Sequence, residues 1–184
     1  MKIYVTGIGI NTSVGKNAAE NLHSLQSGIT GISRSHEHDL MLAEVKLSNK
    51  EIIELLMLPD EDFSRTTLLG LIAAKEAWGA NRNHENIRTG MISATCVGGL
   101  DRTEKYYFEK QKNNDSQVHK LMIHDNGGTT ERIAIELGIS GYIGTISTAC
   151  SSGANAIMQG ARLIKGNKLD RVVVAAQTPF RYST

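Results

Sequence analysis

The chain holds two cysteines, Cys96 and Cys150, and the second stands where local structure changes type. Tyr142 to Thr148 is a short β-branched and aromatic run that reads as a strand. From Ser151 onward Ala154, Ile157, Met158, Ala161 and Ile164 fall at helical spacing, and Gly166-Asn167 supplies the stop. Leu169 to Ala176 returns to strand. Cys150 therefore sits at the turn into the helix of a strand–helix–strand unit. A thiol there faces unpaired backbone N–H groups and the positive end of the helix dipole, both of which favour thiolate. The alternative is structural, because a lone Cys commonly behaves as a small buried hydrophobe. The helix is small-sided at Gly153, Ala154, Ala156, Gly160 and Ala161, as a helix packed from several sides must be.

Other residues with chemical potential are less well supported. Gly7-Ile8-Gly9 follows a predicted strand, but Thr12 occupies the third glycine position of a dinucleotide fingerprint. No second strand ending in Asp or Glu follows within about 20 residues, so a tight turn is the better reading. His36 and His38 lack a third ligand nearby and read as loop residues, which leaves no metal site in the sequence. His124 beside Asp125 reads as structural, since adjacent side chains seldom face each other. Cys96-Val97-Gly98-Gly99 ends a predicted strand at 88–95, and the glycine pair lets the backbone turn sharply and approach a ligand.

The elements that must hold these residues are predicted as follows. Lys2 to Ile10 reads as a buried strand, and Ala18 to Ser27 as a helix with Leu22 and Leu25 inward and Gly28 as its stop. Gly28 to Asp39 is polar and irregular, and Leu40 to Leu47 reads as a short edge strand. Ser48 with Glu51 forms a capping box for a helix through Leu58. Ser64 caps a helix through Trp78 whose inward face is Leu68, Leu71, Ile72 and the Lys75 stem. Asp101 to Lys112 is a charged amphipathic helix, Asn113 to His119 a surface loop, and Asp125 or Asn126 caps a helix to Leu137. The alternation of strand and helix makes an α/β chain.

Size and composition bound the function. At 184 residues the chain is about one domain. Forty per cent apolar residues and 21% charged residues are ordinary for a soluble globular protein. Twenty basic against nineteen acidic residues leave +1, so no field favours nucleic acid or an acidic membrane surface. Two cysteines cannot build a disulfide framework and suit a reducing cytoplasm. The N-terminus lacks a signal-peptide pattern, and no apolar run approaches the roughly 18 residues of a membrane span.

Ser147-Thr148-Ala149-Cys150-Ser151-Ser152-Gly153-Ala154-Asn155-Ala156 closely resembles the nucleophile motif of the elongating β-ketoacyl-acyl-carrier-protein synthases, members of the thiolase-like family. Val5-Thr6-Gly7-Ile8-Gly9, with the small-residue loop to Gly15, resembles that family's opening, and Arg65 matches an Arg common at the head of its helix. The resemblance implies the N-terminal half of a five-layer αβαβα architecture with a mixed sheet, in which the Cys helix is one of two central helices. It implies Cys150 as nucleophile and an acyl pocket at Cys96, Val97, Gly98 and Gly99. Val97 would be its gating side chain, and Cys96 stands where Gly is frequent. It also implies an acyl carrier protein as partner, bearing phosphopantetheine-linked acyl and malonyl groups. A homodimer through the strand Tyr142 to Thr148 follows, and no cofactor.

The resemblance runs from Met1 to about Ala176, the first half of such a synthase. The second half supplies two His, a Lys and a second oxyanion-hole N–H, and none of the six His here has a matching context. Residues 177–184 depart from the family, and Pro179 argues against a continued central strand. The expectation is a fragment of a synthase, a single domain over residues 1–184, silent for the full condensation. A non-catalytic partner subunit of the chain-length-factor type is the rival reading, and Cys150 counts against it because those subunits lack the nucleophile. A Rossmann dehydrogenase lacks its fingerprint here. An α/β-hydrolase would want Gly at positions 148 and 152, where Thr148 and Ser152 stand.

Overall fold

A parallel three-stranded sheet, sandwiched by helices, positions everything that follows. A computed structural model describes residues 1–35, 39–59, 63–79, 86–111 and 125–177. Its elements are α1 (Ala18–Gln26), β1 (Ile32–Arg34), β2 (Met41–Ala43), α2 (Asn49–Leu56), α3 (Arg65–Trp78), β3 (Thr89–Ala94), α4 (Leu100–Gln111), α5 (Asn126–Glu136), β4 (Ile143–Ile146), α6 (Ser152–Lys165) and β5 (Arg171–Ala176). A 3₁₀ turn, Ala149–Ser151, leads into α6.

The sheet order is β4-β3-β5, with Met91 opposite Ile143 on one side and Val173 on the other. A mixed sheet was expected, but the described three-stranded sheet is parallel throughout. Each crossover between its strands runs through a helix, which is what parallel pairing demands. Among the described residues antiparallel strands pair in β1 with β2, where Ser33 faces Leu42, and an isolated antiparallel bridge joins Thr12 to Gly15. β1 lies in the stretch read as irregular, and β2 is shorter than the Leu40 to Leu47 strand expected.

Residue alternation along β3 divides the interior in two. Met91 joins Leu68, Leu71, Ile72, Ile133, Ala134 and Val173 beneath α3 and α5. Ile92 and Ala94 join Ala156 of α6 on the opposite face. The predicted inward face of α3 is confirmed, with Leu68 and Leu71 wholly buried. The half-buried Lys75 donates its ammonium to the Leu56 carbonyl at 3.1 Å. Cap chemistry also follows the sequence. Ser48 and Glu51 form the reciprocal capping box, Ser64 accepts from the Thr67 N–H, and Asp125 accepts from the Gly127 N–H.

Two expectations fail near the N-terminus. Residues 1–10 form no strand, and Tyr4, Val5 and Ile8 are exposed. β3 and β5 pair directly, so no ladder position is open between them. The segment instead lies across α3, so closely that a Cβ on Gly7 would stand 2.0 Å from the Ala77 carbonyl oxygen, and one on Gly9 1.9 Å from that of Ala73. Glu76 fixes it there by accepting from the N–H groups of Ile10 (2.9 Å) and Ala18 (2.8 Å). Leu22 and Leu25 of α1 are exposed, and Asn21 and Ser24 are its buried residues. That helix docks through polar groups: Asn21 donates to the Gly15 and Asn17 carbonyls, and Ser24 to the Val14 carbonyl. His36, His38, His124 and the segment 113–119 lie outside the described residues.

Asp170, just before β5, takes a two-pronged bond from the Arg88 guanidinium, at 2.9 and 2.8 Å, plus the Arg88 backbone N–H. The guanidinium foremost, then that N–H, hold its carboxyl at about 2, below the usual 3.8. A depressed carboxylate stabilises the fold above its unfolded pKa, and that contribution is lost as pH falls through the folded value. Melting temperatures of the parent and Asp170→Asn, measured from pH 6 to pH 2, should therefore differ at the upper end and converge toward the lower. The effect is small because the pair is exposed to solvent.

Among the described residues no helix is long and apolar enough to cross a membrane.

Candidate active site

The connection leaving β3 returns to β4 through α5, on the Met91 face of the sheet, whereas the connection leaving β4 runs through α6 on the Ile92 face. Two neighbouring parallel strands whose connections depart to opposite faces leave a crevice at their carboxyl ends, the usual ligand position in an open α/β sheet. Cys96 follows the end of β3 and Cys150 follows the end of β4, so the crevice lies between the two segments that bear the thiols. Both are exposed.

The turn bearing Cys150 is fixed by its neighbours. Ala149 has φ +51°, the left-handed region that a residue with a Cβ seldom adopts. The buried Ser152 hydroxyl accepts from the Thr148 N–H at 2.7 Å and donates to the Ala149 carbonyl at 2.8 Å, bracketing that residue from both sides. Ser151 donates to the Thr148 carbonyl at 2.8 Å. Asn155, one helical turn on, donates to the Thr148 hydroxyl at 2.9 Å. Cys150 is thus carried on a rigid loop at the mouth of α6, in line with the helix N-terminus. The sequence pointed to Cys150, but not to the work of Ser152, Thr148 and Asn155. The signal was a run of hydroxyl residues on both sides of the thiol, the type that binds local backbone groups.

Cys96 is closer to this turn than its strand-end position suggested. Its Sγ lies 3.5 Å from the Oγ of Ser152, the first residue of α6, and donates to the Ala149 carbonyl at 3.7 Å. Hydrogen bonds to Ser152 and then Ser147 hold the thiol below its ordinary value. The rest of the loop is tight: the N–H groups of Val97 and Gly98 both donate to the Thr95 hydroxyl at 3.3 Å, and Gly98 has φ +49°. Val97 is half-buried, while Gly98 and Gly99 are buried. Arg65, at the head of α3, donates to the Asn49 side chain and the Val45 carbonyl, and serves structure there.

A cavity of about 680 Å³, lined by Trp78, Arg88, Glu136, Lys168 and Arg171 among others, opens at the amino ends of β3 and β5. It lies at the far end of the sheet from both thiols, whereas ligands of open α/β sheets sit at the carboxyl ends of the strands. No group of three metal-ligating side chains occurs among the described residues, and the one histidine among them is His23, on α1.

Residues 1–179 match the sequence model of the family described as beta-ketoacyl synthase, N-terminal domain. The chain is 26% identical to 3-oxoacyl-[acyl-carrier-protein] synthase 1 of Buchnera aphidicola, over 93% of this chain and 45% of that protein. It is 23% identical to 3-oxoacyl-[acyl-carrier-protein] synthase 2 of Staphylococcus aureus, over 94% of this chain and 44% of that one. The chain thus spans slightly less than half the length of these relatives. Among solved structures, the ishigamide ketosynthase/chain length factor superposes with a TM-score of 0.77 at 17% identity, covering 96% of this chain and 52% of that one. At that identity the likeness speaks for the fold, the N-terminal half of a thiolase-like ketosynthase. The chain belongs to the beta-ketoacyl synthase family, of which it carries the N-terminal domain.

Proposed function

We propose that this chain is the nucleophile-bearing half of a β-ketoacyl-acyl-carrier-protein synthase, with Cys150 as the acyl acceptor. The observation that carries the reading is the position of Cys150: exposed, on a turn braced by Ser152, at the mouth of α6 and the carboxyl end of the sheet. The thiolate attacks the carbonyl carbon of a carrier-protein thioester. The carbonyl electrons move to oxygen, and a backbone N–H at the turn steadies the oxyanion. Collapse expels the phosphopantetheine thiolate and leaves the acyl group on Cys150. Condensation with malonyl carrier protein then needs donors for the enolate formed on decarboxylation. In the family these are the paired His of the second half, so residues 1–184 alone are expected to load acyl groups poorly and to condense none.

The rival reading, a chain-length-factor-type partner subunit, is supported by structural neighbours described as ketosynthases with their chain length factors. Cys150 favours the catalytic reading. Acyl carrier protein is the proposed partner; a neighbour is described as a type II polyketide synthase acyl-carrier protein in complex with its ketosynthase. The exposed outer edge of β4, with Tyr142 and Ile143, suits pairing with a second copy across a two-fold axis. The cytoplasm is the proposed compartment.

The acyl pocket gives the test. Val97, half-buried behind the Cys96 position, is assigned as the gate, with Gly98 and Gly99 forming the close backbone wall. In a protein completed with a relative's second half, Val97→Phe should lower loading of long acyl groups by tenfold or more, on the order of 1.4 kcal/mol, and spare short ones. Equal loss at every chain length would reduce Val97 to a packing residue.

A further inference from the structure

We propose that Cys96 and Cys150 form a redox pair, in which a hydroperoxide joins the two sulfurs in a reversible intrachain disulfide that closes the acyl-accepting site. They are the chain's only two cysteines, and although 54 positions apart both reach the same exposed turn. The Cys96 Sγ is 3.7 Å from the Ala149 carbonyl oxygen, which belongs to the peptide group joined to Cys150. A carbonyl oxygen stands about 2.8 Å from the next Cα, so the Cys96 sulfur is within about 6.5 Å of the Cys150 Cα. Disulfides close over Cα separations of about 4.4–6.8 Å, and with its own side chain counted the Cys96 Cα lies within about 9 Å of the Cys150 Cα. Joining these two asks for rotation of two exposed side chains and an approach of the β3 end and the turn by up to about 2–3 Å, not the transport of an element. The hydrogen bonds to Ser152 and Ser147 favour the Cys96 thiolate, the form that attacks an oxidised sulfur.

The chemistry balances. The Cys150 thiolate attacks the O–O bond of the peroxide, becomes a sulfenic acid and releases an alkoxide or hydroxide that takes up a proton. The Cys96 thiolate then attacks the Cys150 sulfur, the S–O bond breaks, and hydroxide leaves as water. Two electrons have passed from two thiols to one peroxide, and a dithiol reductant reverses the step. In the disulfide Cys150 has no thiolate to accept an acyl group, but it is shielded from oxidation to the sulfinic acid.

The test uses the whole chain, hydrogen peroxide and peptide mapping. Peroxide should take free thiols from two per chain to none, yield a Cys96–Cys150 linked peptide from the monomer band of a non-reducing gel, and let dithiothreitol restore both. Dimedone should label Cys150 strongly in Cys96→Ser and weakly in the parent. Separate oxidation of each cysteine, cross-links only between chains, or equal dimedone labelling would overturn the pair. The parent measurement stands even if the variant misfolds. The readout is sulfur oxidation alone, so a Cys150 that fails to accept acyl groups leaves it unchanged.

Discussion

Cys150→Ser, in a protein completed with a relative's second half, is expected to reduce acyl loading by about three orders of magnitude or more, with folding intact. The thiolate is the attacking group, and a serine hydroxyl at the same turn has no general base beside it among the described residues. The exchange of sulfur for oxygen is nearly isosteric at an exposed position, so the melting temperature should stay within about 1 °C of the parent. Parent and variant are compared by circular dichroism and by loading from an acyl carrier protein. If loading survives the substitution, Cys150 is a bystander and another group accepts the acyl chain.

The second large effect concerns association. Residues 1–184 prepared by themselves should self-associate through the outer face of α6 and the free edge of β4. α6 buries Ser152, Ala156 and Gly160 against the sheet and leaves Ile157 64% and Met158 43% exposed. Gly160 lets the helix lie on Val172 and Val174, so the sheet side is fully packed and the opposite side is the one left open. This is the face that a second ketosynthase half would cover. Covering a large apolar side chain is worth roughly 1.5–3 kcal/mol. Ile157, Met158, Tyr142 and Ile143 together can offset the roughly 4–15 kcal/mol cost of bringing two chains together, with unpaired β4 backbone adding to it. Light scattering behind size exclusion should give a mass above one chain that falls to one chain in Ile157→Lys/Met158→Lys. A parent that is monomeric and melts cooperatively would mean that this face needs no cover.

Much of this arrangement was legible in the residues. The strand–helix–strand unit around Cys150 was written in local signals: β-branched residues, a change of period at Ser151, and the Gly166-Asn167 stop, where Asn167 does take a positive φ. The caps at Ser48, Ser64 and Asp125 were legible for the same reason, since each acts within three residues. What failed required partners distant in the chain. Residues 1–10 have a strand's composition, but the segment is held across α3, with the Ile10 N–H bound by Glu76, 66 positions on. Leu22 and Leu25 have helical spacing, yet Asn21 and Ser24 decide which side of α1 docks. The approach of Cys96 to Ser152 spans 56 positions and follows only from the parallel register of β3 and β4.

That approach also changes which experiment is most direct. With Cys96 exposed, and its thiolate favoured by Ser152, a simple alkylating agent should modify both cysteines and cannot by itself single out the nucleophile. An acyl thioester can, because transfer also needs the oxyanion donor at the turn. The decisive measurement is incubation of the completed protein with a carrier-protein acyl thioester, followed by peptide mapping of the trapped acyl group. An acyl adduct on Cys150 that disappears in Cys150→Ser and persists in Cys96→Ser is the predicted result. An adduct on Cys96, or none on either cysteine, would contradict it.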